Sequence, residues 1–214
     1  MLNFNQQFFN NLPVLDGYEL KDSYLNAIQN VMINALADHP RTMMVRFDLH
    51  LPSQGNCPDS PQMYDTSVIT RFIESFKAHV NADLAKKQGV QTRVHPCHPR
   101  FIWAKEMNEA LQPHYHVALF VNKDAYFTLG EYRWVSDNLA GMIYQAWHSA
   151  LGFGFEGVLN LVHFPMDTPI YYIDRNSDDY VTQYQQAHRR LSYLAKVETK
   201  QYGDRTKNFS CSRK

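Results

Sequence analysis

Cysteine is scarce: Cys57, Cys97 and Cys211 are the only three in 214 residues. Three scattered cysteines cannot build a disulfide framework, and they suit a reducing cytoplasm, the compartment expected here. No apolar run approaches the roughly eighteen residues needed to cross a membrane, so no membrane association is expected. The opening residues, Met1-Leu-Asn-Phe-Asn-Gln-Gln7, lack the basic start and apolar centre of a secretion signal. Internal repeats and low-complexity segments are also missing. Net charge is zero, which alone argues neither for nor against nucleic acid. Its distribution says more. Residues 181–214 hold eight Lys/Arg (Arg189, Arg190, Lys196, Lys200, Arg205, Lys207, Arg213, Lys214) against Glu198 and Asp204, a balance of +6 that leaves −6 for the first 180. Such an end is a candidate phosphate-binding surface, or simply a solvated tail.

What is present describes one folded domain: 44% of residues are apolar and 14% aromatic. Tyr24, Ile28, Val31, Met32 and Ala35 recur at helical spacing between Lys21 and Asp38, and His39-Pro40 ends that helix. Thr42 to Leu51 alternates as a strand, with Val45, Phe47, Leu49 and Leu51 facing a core and Arg46, Asp48 and His50 on the other face. Pro52 to Pro61 reads as a loop. Asp65-Thr66-Ser67 can cap a helix whose buried stripe is Ile69, Phe72, Ile73, Phe76, Val80 and Leu84. A further helix spans Asp137 to Leu151 and stops at Gly152. Gly157 to Phe164 predicts a strand, and a last helix runs from about Tyr180 to Lys200. The order α, β, α, β-hairpin, α, β, α predicts an α+β fold with a mainly antiparallel sheet and helices on one face. The expected layout is a helical arm over 1–40, a main domain over 41–203 and a basic tail over 204–214.

The hairpin carries the chemistry. Strand-like runs at Phe101–Glu106 and His114–Val121 flank a polar connection, Met107 to Pro113. Alternation places His114, His116, Ala118 and Phe120 on one face and Tyr115, Val117, Leu119 and Val121 on the other. Two imidazoles one residue apart can converge on one metal ion, and Glu106 can lie opposite His114 to add a carboxylate. That set leaves coordination positions open, as a catalytic metal requires. The bland alternative is two surface histidines beside a structural strand. A zinc site from Cys57, His95, Cys97 and His98 matches no usual finger spacing. His-Glu-x-x-His, the zinc-protease helix motif, is absent.

On the last helix, Tyr180, Tyr184, Ala187, His188, Leu191, Leu194 and Ala195 share one side, and Arg189, Tyr193, Lys196 and Lys200 the other. Cations beside a phenol favour the phenolate and attract a phosphodiester. The competing reading is an exposed tyrosine on a solvated basic face.

Together these motifs resemble the HUH endonucleases, which nick single-stranded DNA, and most closely the replication proteins of filamentous phages and related prophages. The resemblance covers about residues 42–200. Met43-Met-Val-Arg-Phe-Asp-Leu-His50 looks like the first motif. His114-Tyr-His116 looks like the metal motif, with Tyr115 where a hydrophobic residue usually sits, and Glu106 stands where related initiators place a carboxylate ligand. Arg190-Leu-Ser-Tyr193-Leu-Ala-Lys196 looks like the nucleophile motif. The resemblance implies an RRM-like palm and a divalent ion, Mg²⁺ or Mn²⁺, held by Glu106, His114 and His116. It implies attack by Tyr193, assisted by Lys196, to give a 5′-phosphotyrosine and a free 3′-hydroxyl that primes rolling-circle replication. Arg189, Lys200, Arg46 and His50 are the candidate DNA contacts, with Trp103 or His50 as stacking partners for a base. Tyr180 and Tyr184 resemble a paired-tyrosine arrangement but lack the lysine three residues on. The implied partners are single-stranded or hairpin origin DNA and a separate helicase, since no helicase motif is present. A non-catalytic origin-binding protein on the same fold is the alternative.

Overall fold

The computed structural model describes residues 7–52, 67–90, 93–107, 113–152, 161–198, 200 and 207–213. A short hairpin, β1 (Phe8–Phe9) and β2 (Leu12–Pro13), precedes α1 (Asp22–Asp38). The main elements follow as β3 (Arg41–His50), α2 (Ser67–Gln88), β4 (Arg100–Met107), β5 (Pro113–Asn122) and α3 (Leu139–Leu151). They continue as β6 (Val162–His163), β7 (Ile170–Asp174), α4 (Tyr180–Ser192), a 3₁₀ turn (Tyr193–Ala195) and β8 (Phe209–Cys211). Among the described residues six strands form one sheet in the order β6-β3-β5-β4-β8, with β7 also pairing β3. Every pairing is antiparallel. The α+β class and the antiparallel sheet agree with the sequence reading. Among the described residues no helix is long and apolar enough to cross a membrane.

The helices cover both faces of the sheet, not one. On the first face, Met43, Val45, Phe47 and Leu49 of β3 and Tyr115, Val117, Leu119 and Val121 of β5 are buried under α2 and α3. The periodicities of those helices made this face legible, since Phe72, Phe76, Ile143 and Trp147 are all fully buried. Burying each such side chain stabilises the fold by about 1.5–3 kcal/mol. On the second face, Met44, Ile102, Ala104, Ala118 and Phe120 pack against α1 and α4. The reason lies in β5 itself, where His114 and His116 are followed on the same face by Ala118 and Phe120. Half of that face is apolar and must be covered. Only its other end, carrying the histidines, is left for chemistry.

Three expected segments differ in the structure. Residues 1–40 supply α1, whose Leu25, Ile28 and Met32 are part of this second core rather than an arm. Residues 204–214 hold β8, an edge strand that pairs Ile102–Ala104 of β4, and Phe209 stacks on Tyr24 with ring centroids 4.2 Å apart. Of the predicted 157–164 strand, β6 (Val162–His163) is seen, and 153–160 lie outside the described residues. The 53–61 loop, the capping pair Asp65 and Thr66, and residues 108–112 of the hairpin connection also lie outside them. α3 is bounded as its sequence suggests. The Asn138 side chain accepts from Gly141 N at 2.9 Å, and Gly152 closes the helix in the left-handed conformation (φ +75°).

The final helix stops eight residues early, at Ser192. Tyr193–Ala195 tighten into the 3₁₀ turn, and Lys196 is extended (φ −61°, ψ 148°). The cause is competition for backbone groups by the segment before α1. Leu15 N donates to Ser192 Oγ at 2.9 Å. Lys21 N donates to the Ala195 carbonyl and Val197 N to the Glu19 carbonyl, each at 2.9 Å. An α-helix cannot continue while its carbonyls and amides are bonded to a neighbouring segment.

Candidate active site

Strand register assembles the first part of the site. Glu106 of β4 lies directly opposite His114 of β5, as the hairpin spacing predicts. On the other side β3 places His50 opposite His114 and Asp48 opposite His116. Cross-strand partners share a face, so five polar side chains converge at the polar end of the second face. Glu106, His114 and His116 each offer a ligand atom, all within 4.8 Å of one another.

The donor set fits a divalent cation. His116 Nδ1 is 2.6 Å from Asp48 Oδ1, so in the neutral ring this nitrogen is the donor to the carboxylate and Nε2 is the one with a lone pair to offer a cation. That lone pair lies 3.2 Å from His114 Nε2 and 3.2 Å from Glu106 Oε2. Two nitrogens each about 2.1 Å from one cation at ordinary bond angles lie roughly 3.0–3.4 Å apart. Asp48 is itself held by Arg46, whose Nη1 is 2.7 Å from the same carboxylate oxygen. Burial pushes the Asp48 carboxyl pKa up, but the His116 hydrogen bond and the Arg46 charge outweigh it and leave it well below the usual range. Burial and the neighbouring His116 and His50 lower His114 to about 4, so its imidazole is neutral, as a ligand must be.

Two lysines complete the arrangement. Lys196 Nζ is 2.8 Å from Glu106 Oε2, and Lys200 Nζ is 3.2 Å from Glu106 Oε1. Burial alone pushes the Glu106 pKa up; His116 and the two lysines more than reverse it, and the carboxylate is ionised. Lys196 also donates to the Tyr193 hydroxyl at 2.5 Å, and its Nζ lies 4.0 Å from the centre of that ring. Burial pulls the Lys196 pKa down, yet the hydrogen bonds to Glu106 and Tyr193 leave it raised. The Tyr193 ring meets His116 edge-on, with centroids 5.3 Å apart. Strand hairpin and final turn, remote in sequence, therefore form one cluster.

The candidate DNA contacts divide. Arg189 is exposed. His50 is half-buried and stacks on His114 at 5.5 Å. Lys200 is a correction: it is buried, bonded to Glu106 and to the Lys196 carbonyl, because the helix ends before reaching it. Arg46 is a second: it is 2% exposed and bonded to Asp48 and the Phe47 and Val117 carbonyls. Neither can reach a phosphate. Trp103 is buried against Tyr115 and offers no stacking face. Tyr180 and Tyr184 pack against the α1/α4 core, and burial pushes the Tyr184 phenol up to about 12.

Two contributors were missed from sequence. Asp48 shares an alternating face with His50, but only the register to β5 aims it at His116. Tyr18 meets Tyr193 edge-on at 5.7 Å, and no motif marks it. Of the alternative zinc set, Cys57 lies outside the described residues; Cys97 accepts from Asn122 N, and His98 stacks on His39. His163 is more than half exposed, 3.7 Å from Asp48.

The YagK/YfjJ C-terminal domain family model matches residues 4–212, and the chain belongs to that family. It is 40% identical over 193 residues to YagK of Escherichia coli strain K12, covering 88% of this chain and 91% of that protein. It is 33% identical over 195 residues to YfjJ of the same strain, covering 89% and 93%. No solved structure is significantly similar to the chain.

Proposed function

We propose that this YagK/YfjJ-family protein is a cytoplasmic, metal-dependent endonuclease of the HUH type, which nicks single-stranded DNA through a phosphotyrosine intermediate. Its biological role in this reading is to initiate rolling-circle replication of a phage or prophage element at a single-stranded or hairpin origin, with a separate helicase. One observation carries the proposal: the Tyr193 hydroxyl, bonded to Lys196, stands against the Glu106–His114–His116 cluster. A structural tyrosine on a solvated helix face would have no reason to share its lysine with a buried ligand carboxylate.

Glu106, His114 and His116 would hold Mg²⁺ or Mn²⁺, which neutralises charge on the phosphate oxygens when bound. The chain's own residues do the rest. Asp48 fixes the His116 ring and its tautomer, and Arg46 fixes Asp48. Lys196, held as an ammonium, donates to the Tyr193 oxygen and stabilises the phenolate once the phenol proton has passed to solvent. That oxygen attacks phosphorus; the tyrosyl O–P bond forms, the P–O3′ bond breaks, and the departing 3′-oxygen takes a proton from solvent. Lys200 keeps Glu106 ionised and oriented.

A non-catalytic DNA-binding protein is the second reading, favoured by the double pairing of Glu106 with lysines, which compete with a cation for it. Incubation with Mn²⁺ and labelled single-stranded oligonucleotides tiling the neighbouring intergenic region separates the two. An SDS-resistant protein–DNA band, lost in Tyr193→Phe, is the expected result. DNA binding without any covalent band would leave only the second reading.

A further inference from the structure

Beside the Tyr193 turn lies an open cavity of about 430 Å³ lined by Leu15, Thr168, Tyr171, Gln186, Arg189 and Arg190. We infer that this groove is a nucleotide subsite, which seats one nucleotide of the single-stranded DNA next to the scissile phosphate. The inference rests on the nuclease reading for the identity of its ligand.

The walls of the groove are fixed to the site. Tyr171 of β7 pairs Met44 of β3, and the Pro169 carbonyl accepts from Arg46 N at 2.7 Å. The Leu15 amide is bonded to Ser192 Oγ, next to Tyr193. Arg190 lies one helical turn before Tyr193, and both are within electrostatic reach of the buried Arg46. The groove therefore opens where a strand attacked by Tyr193 must enter or leave.

Its chemistry matches a nucleotide. Among the described residues neither Arg189 nor Arg190 has a carboxylate partner, whereas four of the eight other described arginines do. Arg41, Arg46, Arg100 and Arg133 each pair an acid. Both guanidiniums line the one cavity, and phosphate is the anion that their planar fork fits best. Tyr171 is half-buried and supplies an aromatic ring for a base. The Gln186 amide, with no partner among the described residues, can read a base edge. The volume falls in the range of small-ligand pockets, about 300–1,000 Å³.

The test is fluorescence anisotropy with a labelled twelve-residue thymidine oligonucleotide in EDTA, where cleavage is blocked. Arg189→Gln with Arg190→Gln is expected to weaken binding at least tenfold and to lower the salt slope by about 1.4, two contacts at roughly 0.7 each. Tyr171→Leu is expected to weaken it roughly fivefold or more with the slope unchanged, and Tyr171→Phe to restore it. Thymidine monophosphate should compete better than inorganic phosphate. Should the double variant unfold by circular dichroism, Arg189→Glu alone, at an exposed position, is expected to give the same direction. Binding within twofold of the parent in these variants, or equal competition by phosphate, overturns the subsite. Covalent adducts assayed in parallel keep the two proposals apart. Normal adducts with unaffected binding sink the groove alone, whereas groove-dependent binding without adducts sinks the nuclease alone.

Discussion

Lys196 donates to the Tyr193 hydroxyl at 2.5 Å from a backbone that has already left the helix. On a continued helix the two would share an exposed face; here the 3₁₀ turn swings Lys196 inward, where it also meets Glu106. One ammonium thus links the candidate nucleophile to the candidate metal ligands.

Removing that link should slow chemistry more than binding. Lys196→Met is expected to lower the rate of adduct formation about a hundredfold, the usual effect of deleting one donor to a developing oxyanion. Oligonucleotide affinity should stay near that of the parent, since the groove arginines are untouched. A time course of the SDS-resistant band measures the rate, and an unchanged rate would remove Lys196 from the mechanism.

Asp48 touches no proposed ligand atom, yet it should set metal affinity. Asp48→Asn replaces the anionic acceptor on His116 Nδ1 and is expected to weaken Mn²⁺ binding about 10–100-fold. Calorimetric titration of the purified variant reads this directly. Affinity equal to the parent's would show that Asp48 only packs.

The metal-free protein should lose stability in acid over a defined window. His114 titrates near 4 in the folded chain against 6.5 for a free histidine, so between those values the unfolded state binds the extra proton. Its contribution is fully present above about pH 6.5 and lost as pH falls towards about 4. His39, His50 and His188 are lowered by burial and act in the same direction. Urea unfolding in EDTA should therefore show a falling midpoint across this window. His114→Gln should flatten the slope by up to about 1.4 kcal/mol per pH unit, one proton's worth. An unaltered slope would mean that His114 titrates normally.

Deleting residues 207–214 tests whether the end of the chain is a tail. The structure gives it Phe209 on Tyr24, Asn208 O accepting from Lys105 N, and Ser212 bonded at Phe101. Losing these contacts is expected to destabilise the protein by about 2 kcal/mol or more. A solvated tail would leave the urea midpoint where it was.

Much of the architecture was legible from local pattern. Alternation in β3 and β5 and the apolar stripes of α2 and α3 are repeated over many residues, so period alone identified those elements and their shared core. The Glu106–His114 pairing was legible for a related reason: a hairpin closes locally, and its register follows from the spacing of two strands. β7 and β8 were not legible, because short edge strands have too few residues to show a period.

What the sequence by itself determined, then, is the hairpin with its candidate ligands, the apolar faces that orient it, and Tyr193 and Lys196 as a candidate pair. Only tertiary structure decided what those residues meet. The helical wheel put Lys196 and Lys200 in solvent because it assumed the helix continued. Bonds from the segment around Leu15 to Lys21 end it at Ser192, and both lysines turn inward to Glu106. Arg46 looked like a surface cation and is buried under Asp48 for the same kind of reason. A side chain's periodicity is set by its own neighbours in sequence, whereas its charge partner is set by whichever distant backbone satisfies the local hydrogen bonds.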